Sequence, residues 1–163
     1  MNKAYLLTGG NLGNRLNNLS EARKLIEQYC GKIDAQSSIY ETAAWGFKDH
    51  PDFYNQALEV ATKLSSEELM KTILMIEEKM GRKRSVKMGP RIIDIDILLF
   101  NDEIIHQPHL TIPHERLHER RFALMPLAEI APDVIHPIFK KTILQLLSES
   151  NDTLNVNKIE QHN

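Results

Sequence analysis

The chain has 163 residues, of which 42% are hydrophobic and 26% charged, with a formal net charge of −2. This fits a single globular domain over 1–163 and leaves no whole-molecule positive field for nucleic acid or anionic membrane. Cys30 is the only cysteine, which excludes an internal disulfide. With no signal-peptide pattern and no apolar run of membrane length, a cytoplasmic protein is expected.

Ala4–Thr8 reads as a short strand that ends at Gly9-Gly10-Asn11-Leu12-Gly13. A helix follows, with Leu19, Ala22, Ile26 and Tyr29 on one face and Gly31 as its stop. Ile33 to Thr42 reads as one strand, and Ala43 to Asp52 as a loop broken by Gly46 and Pro51. Phe53 to Leu64 alternates as a long strand: Tyr54, Leu58 and Val60 point one way, Phe53, Asn55 and Ala57 the other. Ser65-Ser66-Glu67-Glu68 carries the Ser-x-x-Glu capping pattern ahead of a helix striped by Leu69, Ile73, Ile76 and Met80 and ended by Gly81.

Arg82 to Arg91 is a basic loop, and Ile92 to Phe100 the next strand. Phe122 to Ile130 and Thr142 to Ser150 read as helices. The polar stretch 151–163 is expected to be loosely held. Strands in neighbouring groups with helices between them predict an α+β fold, a mainly antiparallel sheet packed by helices.

The chemistry concentrates at Asp94-Ile95-Asp96. Residues two apart on a strand share a face, about 6.5–7 Å between Cα atoms, so both carboxylates point the same way. Ile93, Ile95, Ile97 and Leu99 are expected on the core side, and Ile92, Leu98 and Phe100 beside the aspartates. Two like charges on a partly apolar face are poorly tolerated unless a cation relieves them. Hard oxygen ligands, few in number, suit magnesium with phosphate oxygens and water completing its shell. A solvent-facing pair of aspartates is the plain alternative.

Five basic residues, Arg82, Lys83, Arg84, Lys87 and Arg91, precede the acidic strand. Aspartates for metal and arginines for phosphate oxygens form a natural pair, and flanking glycines would let the loop act as a lid. The glycine loop at 9–13 matches neither common phosphate-loop pattern, and close backbone packing explains its glycines better. His106, His109, His114 and His118 lack the spacing of a zinc site.

Lys87-Met88-Gly89-Pro90-Arg91-Ile92-Ile93-Asp94-Ile95-Asp96 resembles the signature of the hydroxymethyl-dihydropterin pyrophosphokinase family. The resemblance extends to Gly10–Gly13, to Thr42 through Asn55, and to Leu110–His114 with Arg120, Phe122, Pro126-Leu127 and Glu129–Pro132. It implies a ferredoxin-like α/β sandwich. It also implies transfer of pyrophosphate from ATP to 6-hydroxymethyl-7,8-dihydropterin, with AMP as the other product, on the route to folate.

By matching position, Asp94 and Asp96 would hold two Mg2+ ions and, with Arg82 and Arg91, form the catalytic set. Glu77, Arg82, Arg84, Arg91, Thr111, His114 and Arg120 would line the ATP side. Thr42, Trp45, Phe53, Asn55 and Phe122 would line the pterin side. A stacking ring beside an amide that both donates and accepts suits a flat heterocycle with mixed edges. Met88, Leu74, His109 and Ala43-Ala44-Trp45 depart from residues frequent in the family.

Rival readings are a γ-phosphoryl kinase or nucleotidyltransferase using the same metal pair, and an RNA-binding module. Aromatic content of 6% and the acidic strand argue against the last. ATP and the pterin are the expected partners, with no nucleic acid, membrane or obligate protein partner.

Overall fold

The computed structural model describes residues 1–43, 51–81 and 92–159. Its main sheet runs β5-β1-β4-β3-β8, with β2 also paired to β4. The strands are β1 (Asn2–Gly10), β2 (Gly31–Gln36), β3 (Tyr40–Thr42), β4 (Phe53–Thr62), β5 (Asp94–Phe100) and β8 (Val156–Lys158). Every pairing in it is antiparallel. The order β5-β1-β4-β2, with helix α1 (Arg15–Tyr29) between β1 and β2 and helix α2 (Ser66–Lys79) between β4 and β5, is the ferredoxin-like arrangement. A hairpin, β6 (Ile105–Gln107) with β7 (Leu110–Ile112), follows β5, and helices α3 (Arg121–Ile130) and α4 (Ile143–Glu149) complete the fold.

Two apolar layers hold the sheet. On one face Leu19, Ala22 and Ile26 of α1 and Leu69, Ile73 and Ile76 of α2 bury against Ala4, Leu6, Leu58, Val60, Ile93, Ile95 and Ile97. On the other, Ala123, Leu124 and Leu127 of α3 and Ile143 and Leu146 of α4 bury against Tyr5, Leu7, Leu98 and Leu99. The helical stripes read from the sequence are the buried ones, except that Tyr29 stays 37% exposed and Met80 is half-buried. Ser65 caps α2 as expected: its Oγ accepts from Glu68 N at 3.1 Å, and Glu68 Oε1 accepts from Ser65 N at 2.9 Å. Such a cap is worth about 1 kcal/mol.

Three expectations need correction. The strand expected over Ile33 to Thr42 is two strands. At the break Ser37 donates its N–H to Ala57 O and accepts from Ala57 N on its hydroxyl, while Gln56 Nε2 donates to Ser37 O. Local polar bonding thus replaces the regular ladder.

The faces of β5 exchange beyond Ile97. Leu6 pairs with Ile97 but Tyr5 with Leu99, so Leu98 is an extra residue in the ladder. That bulge turns Leu99 toward α3 and α4 and Phe100 toward α1 and α2.

Part of the stretch expected to be loosely held is a strand. Val156–Lys158 pairs with β3, and Ile159 N donates to Ile39 O. Exposed β3 edge groups supply partners that composition does not reveal. The β6–β7 hairpin was not foreseen either.

Candidate active site

The α3–α4 layer covers only part of its sheet face. At the uncovered end, strand register aligns one rung: Asp94 of β5 opposite Gly9 of β1, and Gly9 opposite Asn55 of β4. Strands lie about 4.8 Å apart, so Asp94 and Asn55 are separated by about 10 Å across the sheet. Between them Gly9 contributes no side chain. A Cβ there would sit 2.0 Å from Asn55 Oδ1, so the Asn55 amide lies over bare backbone. This is the close packing expected of the glycine loop.

Above this floor is a cleft of about 780 Å³ whose walls include Thr42, Phe53, Asn55, Asp94, Asp96, Arg120 and Phe122. Residues from Thr42 to Phe122 in the sequence are thus gathered at one site. Asp96 lies opposite Leu7, one pleat along from Asp94 and on the same face. The carboxylates therefore share the orientation that their spacing implied.

Arg120 stands near both. Burial lowers its pKa, as does the Arg116 charge, while Asp96 and Asp94 act in the opposite direction. Its guanidinium also lies 5.5 Å from the Phe122 ring centroid.

His114 lies near Arg120 and Asp94 on the segment after β7, whose backbone is tied to β5 by His114 N donating to Leu98 O at 3.0 Å. Burial lowers the imidazole pKa, and the Arg120 charge adds to this against Asp94 and Glu115. His114 Nδ1 accepts from Arg116 N at 3.2 Å. The neutral ring therefore carries its proton on Nε2 and can donate from there.

At the other end, Thr42 is 3% exposed, and among the described residues its Oγ1 has no hydrogen-bond partner. A buried hydroxyl left so costs about 1–3 kcal/mol unless a ligand satisfies it. The opening loop serves this end indirectly. Asn11 Nδ2 donates to Pro51 O at 3.0 Å and Arg15 to Asp52 O at 2.8 Å, fixing the chain just before Phe53.

Three expected ATP-side residues, Glu77, Thr111 and His114, are not among the cleft's walls. Glu77 is 2% exposed beneath β5, where its Oε2 accepts from Ile95 N at 2.9 Å, between the two aspartates. Thr111 sits on the β6–β7 hairpin, its hydroxyl donating to Gln107 O. Trp45, Arg82, Arg84 and Arg91, with the whole basic loop, lie outside the described residues.

The histidines do not converge. His109 pairs with Glu67 at 3.0 Å, and His118 packs against Phe139 with the rings tilted by 52°. Among the described residues no group of three or more metal-ligating side chains occurs. Two carboxylates on one strand face, with a basic group opposite, suit a cation that takes its remaining ligands from phosphate and water, as magnesium does.

The cleft also includes residues that the sequence reading missed: Arg116, His118 and Glu119, and a C-terminal wall at Glu149, Ser150, Asn151, Asp152 and Leu154. Arg116 and His118 stood within the matched block around His114 and Arg120. The C-terminal wall carries no local signal.

The family model described as 7,8-dihydro-6-hydroxymethylpterin-pyrophosphokinase (HPPK) matches residues 5–132. The 2-amino-4-hydroxy-6-hydroxymethyldihydropteridine pyrophosphokinase of Aquifex aeolicus is 41% identical over 150 residues, covering 92% of this chain and 93% of that protein. The Bacillus subtilis protein of the same name is 44% identical over 134 residues, covering 82% and 80%. The crystal structure of Plasmodium falciparum HPPK-DHPS has a TM-score of 0.74 at 22% identity, a likeness of fold. This chain is 91% covered in that match and spans 43% of the longer chain. Among the described residues no helix is long and apolar enough to cross a membrane. With the family model matching most of its length and relatives above 40% identity, the chain belongs to the 7,8-dihydro-6-hydroxymethylpterin-pyrophosphokinase family.

Proposed function

We infer that this chain transfers pyrophosphate from ATP to the hydroxymethyl group of 6-hydroxymethyl-7,8-dihydropterin, giving AMP and the pterin pyrophosphate for folate synthesis. The observation that carries the reading is the cleft's division. A buried Thr42 hydroxyl that lacks a partner among the described residues lies with the Asn55 amide beside Phe53 and Phe122 at one end, and paired carboxylates with Arg120 lie at the other. A flat heterocycle with donor and acceptor edges suits the first end, and a metal-bound polyphosphate the second.

Phe53 and Phe122 hold the pterin ring, while Asn55 and Thr42 read its edge. The exocyclic hydroxyl is thereby directed toward the Asp94 end. Asp94 and Asp96 would hold magnesium, two ions as the family resemblance implies, and the metal would supply charge to neutralise and orient the triphosphate. Arg120 and the His114 Nε2–H bind phosphate oxygens, joined by Arg82, Arg84 and Arg91 as the family resemblance implies. The pterin hydroxyl attacks the β-phosphorus in line and AMP departs. No residue is assigned as a dedicated general base. The unit is a single domain over 1–163, acting in the cytoplasm on ATP and the pterin without an obligate protein partner.

Product analysis with ATP, magnesium and the reduced pterin tests this. AMP in step with pterin pyrophosphate is expected, and stoichiometric ADP with a pterin monophosphate would refute it. Asp94→Asn and Asp96→Asn each keep shape and remove charge. Turnover should fall by about 10³ or more with the melting curve retained, because a metal clamp on a phosphoryl transition state is worth several kcal/mol.

A further inference from the structure

We propose that Asp152 is a positioning residue for the pterin end of the cleft, acting through helix α3. The proposal rests on the function inferred above. Helix α3 begins at Arg121, and its N-cap residue, Arg120, makes no side-chain capping bond. The cap comes instead from 31 positions further along the chain, where Asp152 Oδ2 accepts from Arg121 N at 2.9 Å.

The carboxylate is held for that task. Its Oδ1 accepts from Leu154 N at 3.0 Å, and Asp152 N donates to Ser150 Oγ at 3.2 Å. Both oxygens are therefore engaged, and the negative charge sits against the positive end of the helix dipole.

The two residues flanking Arg121 are Arg120 and Phe122, both walls of the cleft. A bond to the amide between them fixes the backbone that carries both side chains. The opposite end of α3 is anchored separately, by Glu129 accepting from Tyr40 OH at 2.6 Å and Ser38 N at 2.7 Å. Without Asp152, the helix would keep its C-terminal anchor while its first turn, which carries Phe122, loosened.

The strap bearing Asp152 is itself tied down beyond the site. Val156 of β8 pairs with Thr42 of β3, so residues 150–154 cross from α4 to the Thr42 edge along the cleft mouth. Asp152 thus couples the C-terminal segment to the pterin ring's stacking partner, and no contact to substrate is required of it.

The test compares steady-state kinetics, pterin affinity by calorimetry with a nonhydrolysable ATP analogue and magnesium, and melting temperature. It uses the full chain with Asp152→Ala and Asp152→Asn. Asp152→Ala should raise the pterin KM and Kd about tenfold, the cost of ordering the first turn of α3 on binding, with a smaller fall in kcat through the neighbouring Arg120. Asp152→Asn retains an acceptor oxygen and should recover affinity to within about threefold of the parent. A merely structural role would lower the melting temperature and leave pterin KM untouched, which would overturn the proposal.

If Asp152→Ala does not fold, Asp152→Ser replaces it. That hydroxyl can serve Leu154 N locally but is too short to reach Arg121, so the same tenfold loss is expected, and parental affinity overturns the proposal. Parent protein that binds no pterin would overturn the site reading itself and this proposal with it. Parent binding with an unchanged Asp152→Ala overturns the role of Asp152 alone.

Discussion

Gly9→Ala should separate the two ends of the cleft. The added methyl would be placed 2.0 Å from Asn55 Oδ1 and 3.0 Å from its Cγ, against 3.1 Å from the Tyr54 carbonyl. Ordinary carbon–oxygen contacts begin near about 3.2 Å, so the side-chain overlap exceeds about 1 Å while the backbone contact is nearly tolerable. Relief comes from the Asn55 amide swinging away. The ladder bonds of β1 and β4 are backbone groups and need not change.

Overpacking of this kind costs about 1–3 kcal/mol of stability. Displacing the amide removes about two hydrogen bonds to the pterin edge, worth together about 1–3 kcal/mol, or roughly a 5- to 150-fold weaker Kd. Nucleotide-analogue affinity should stay within about threefold, since no group facing phosphate has moved. Calorimetry with each ligand, beside thermal melting, measures all three quantities. Adding Asn55→Ala to Gly9→Ala removes the clashing partner and should return stability to that of Asn55→Ala alone. A folded Gly9→Ala protein with parental pterin affinity would refute the argument that bare backbone at this rung lets Asn55 read the ligand.

Thr42→Val replaces a buried hydroxyl that lacks a partner among the described residues by an isosteric methyl. The unliganded protein should be as stable or up to about 1 kcal/mol more so, while pterin binds about 5- to 10-fold more weakly; unchanged affinity would remove this hydroxyl from the site. His136 is 2% exposed, accepts from Ile138 N and Phe139 N on Nδ1, and has its pKa pushed down to about 4 by burial and by His118. The unfolded chain binds that proton first. Stability should therefore fall from about pH 6.5 toward pH 4 by on the order of 2–3 kcal/mol, and urea unfolding of His136→Asn should lack that part of the pH dependence. Identical pH profiles would count against it.

What the sequence determined by itself lies within short windows. The Ser65–Glu68 cap, the stripe Leu69, Ile73 and Ile76, and the same-face placement of Asp94 with Asp96 and of Phe53 with Asn55 follow from helical and strand periods. Those periods are properties of a few consecutive residues. Motif resemblance added the identity of the matched positions, including Thr42, Arg120 and Phe122. The tertiary structure decided what depends on a partner strand or helix. The bulge at Leu98 exchanges Leu99 with Phe100 because β5 must match β1, not because of its own alternation. Gly9 sits under Asn55 only through the register of β1 with β4. Val156–Lys158 and Asp152 join the fold by filling the hydrogen-bond needs of β3 and α3, distant groups that a polar tail's composition does not announce. Pairings of that range are set by which backbone groups the assembled fold would otherwise leave without partners.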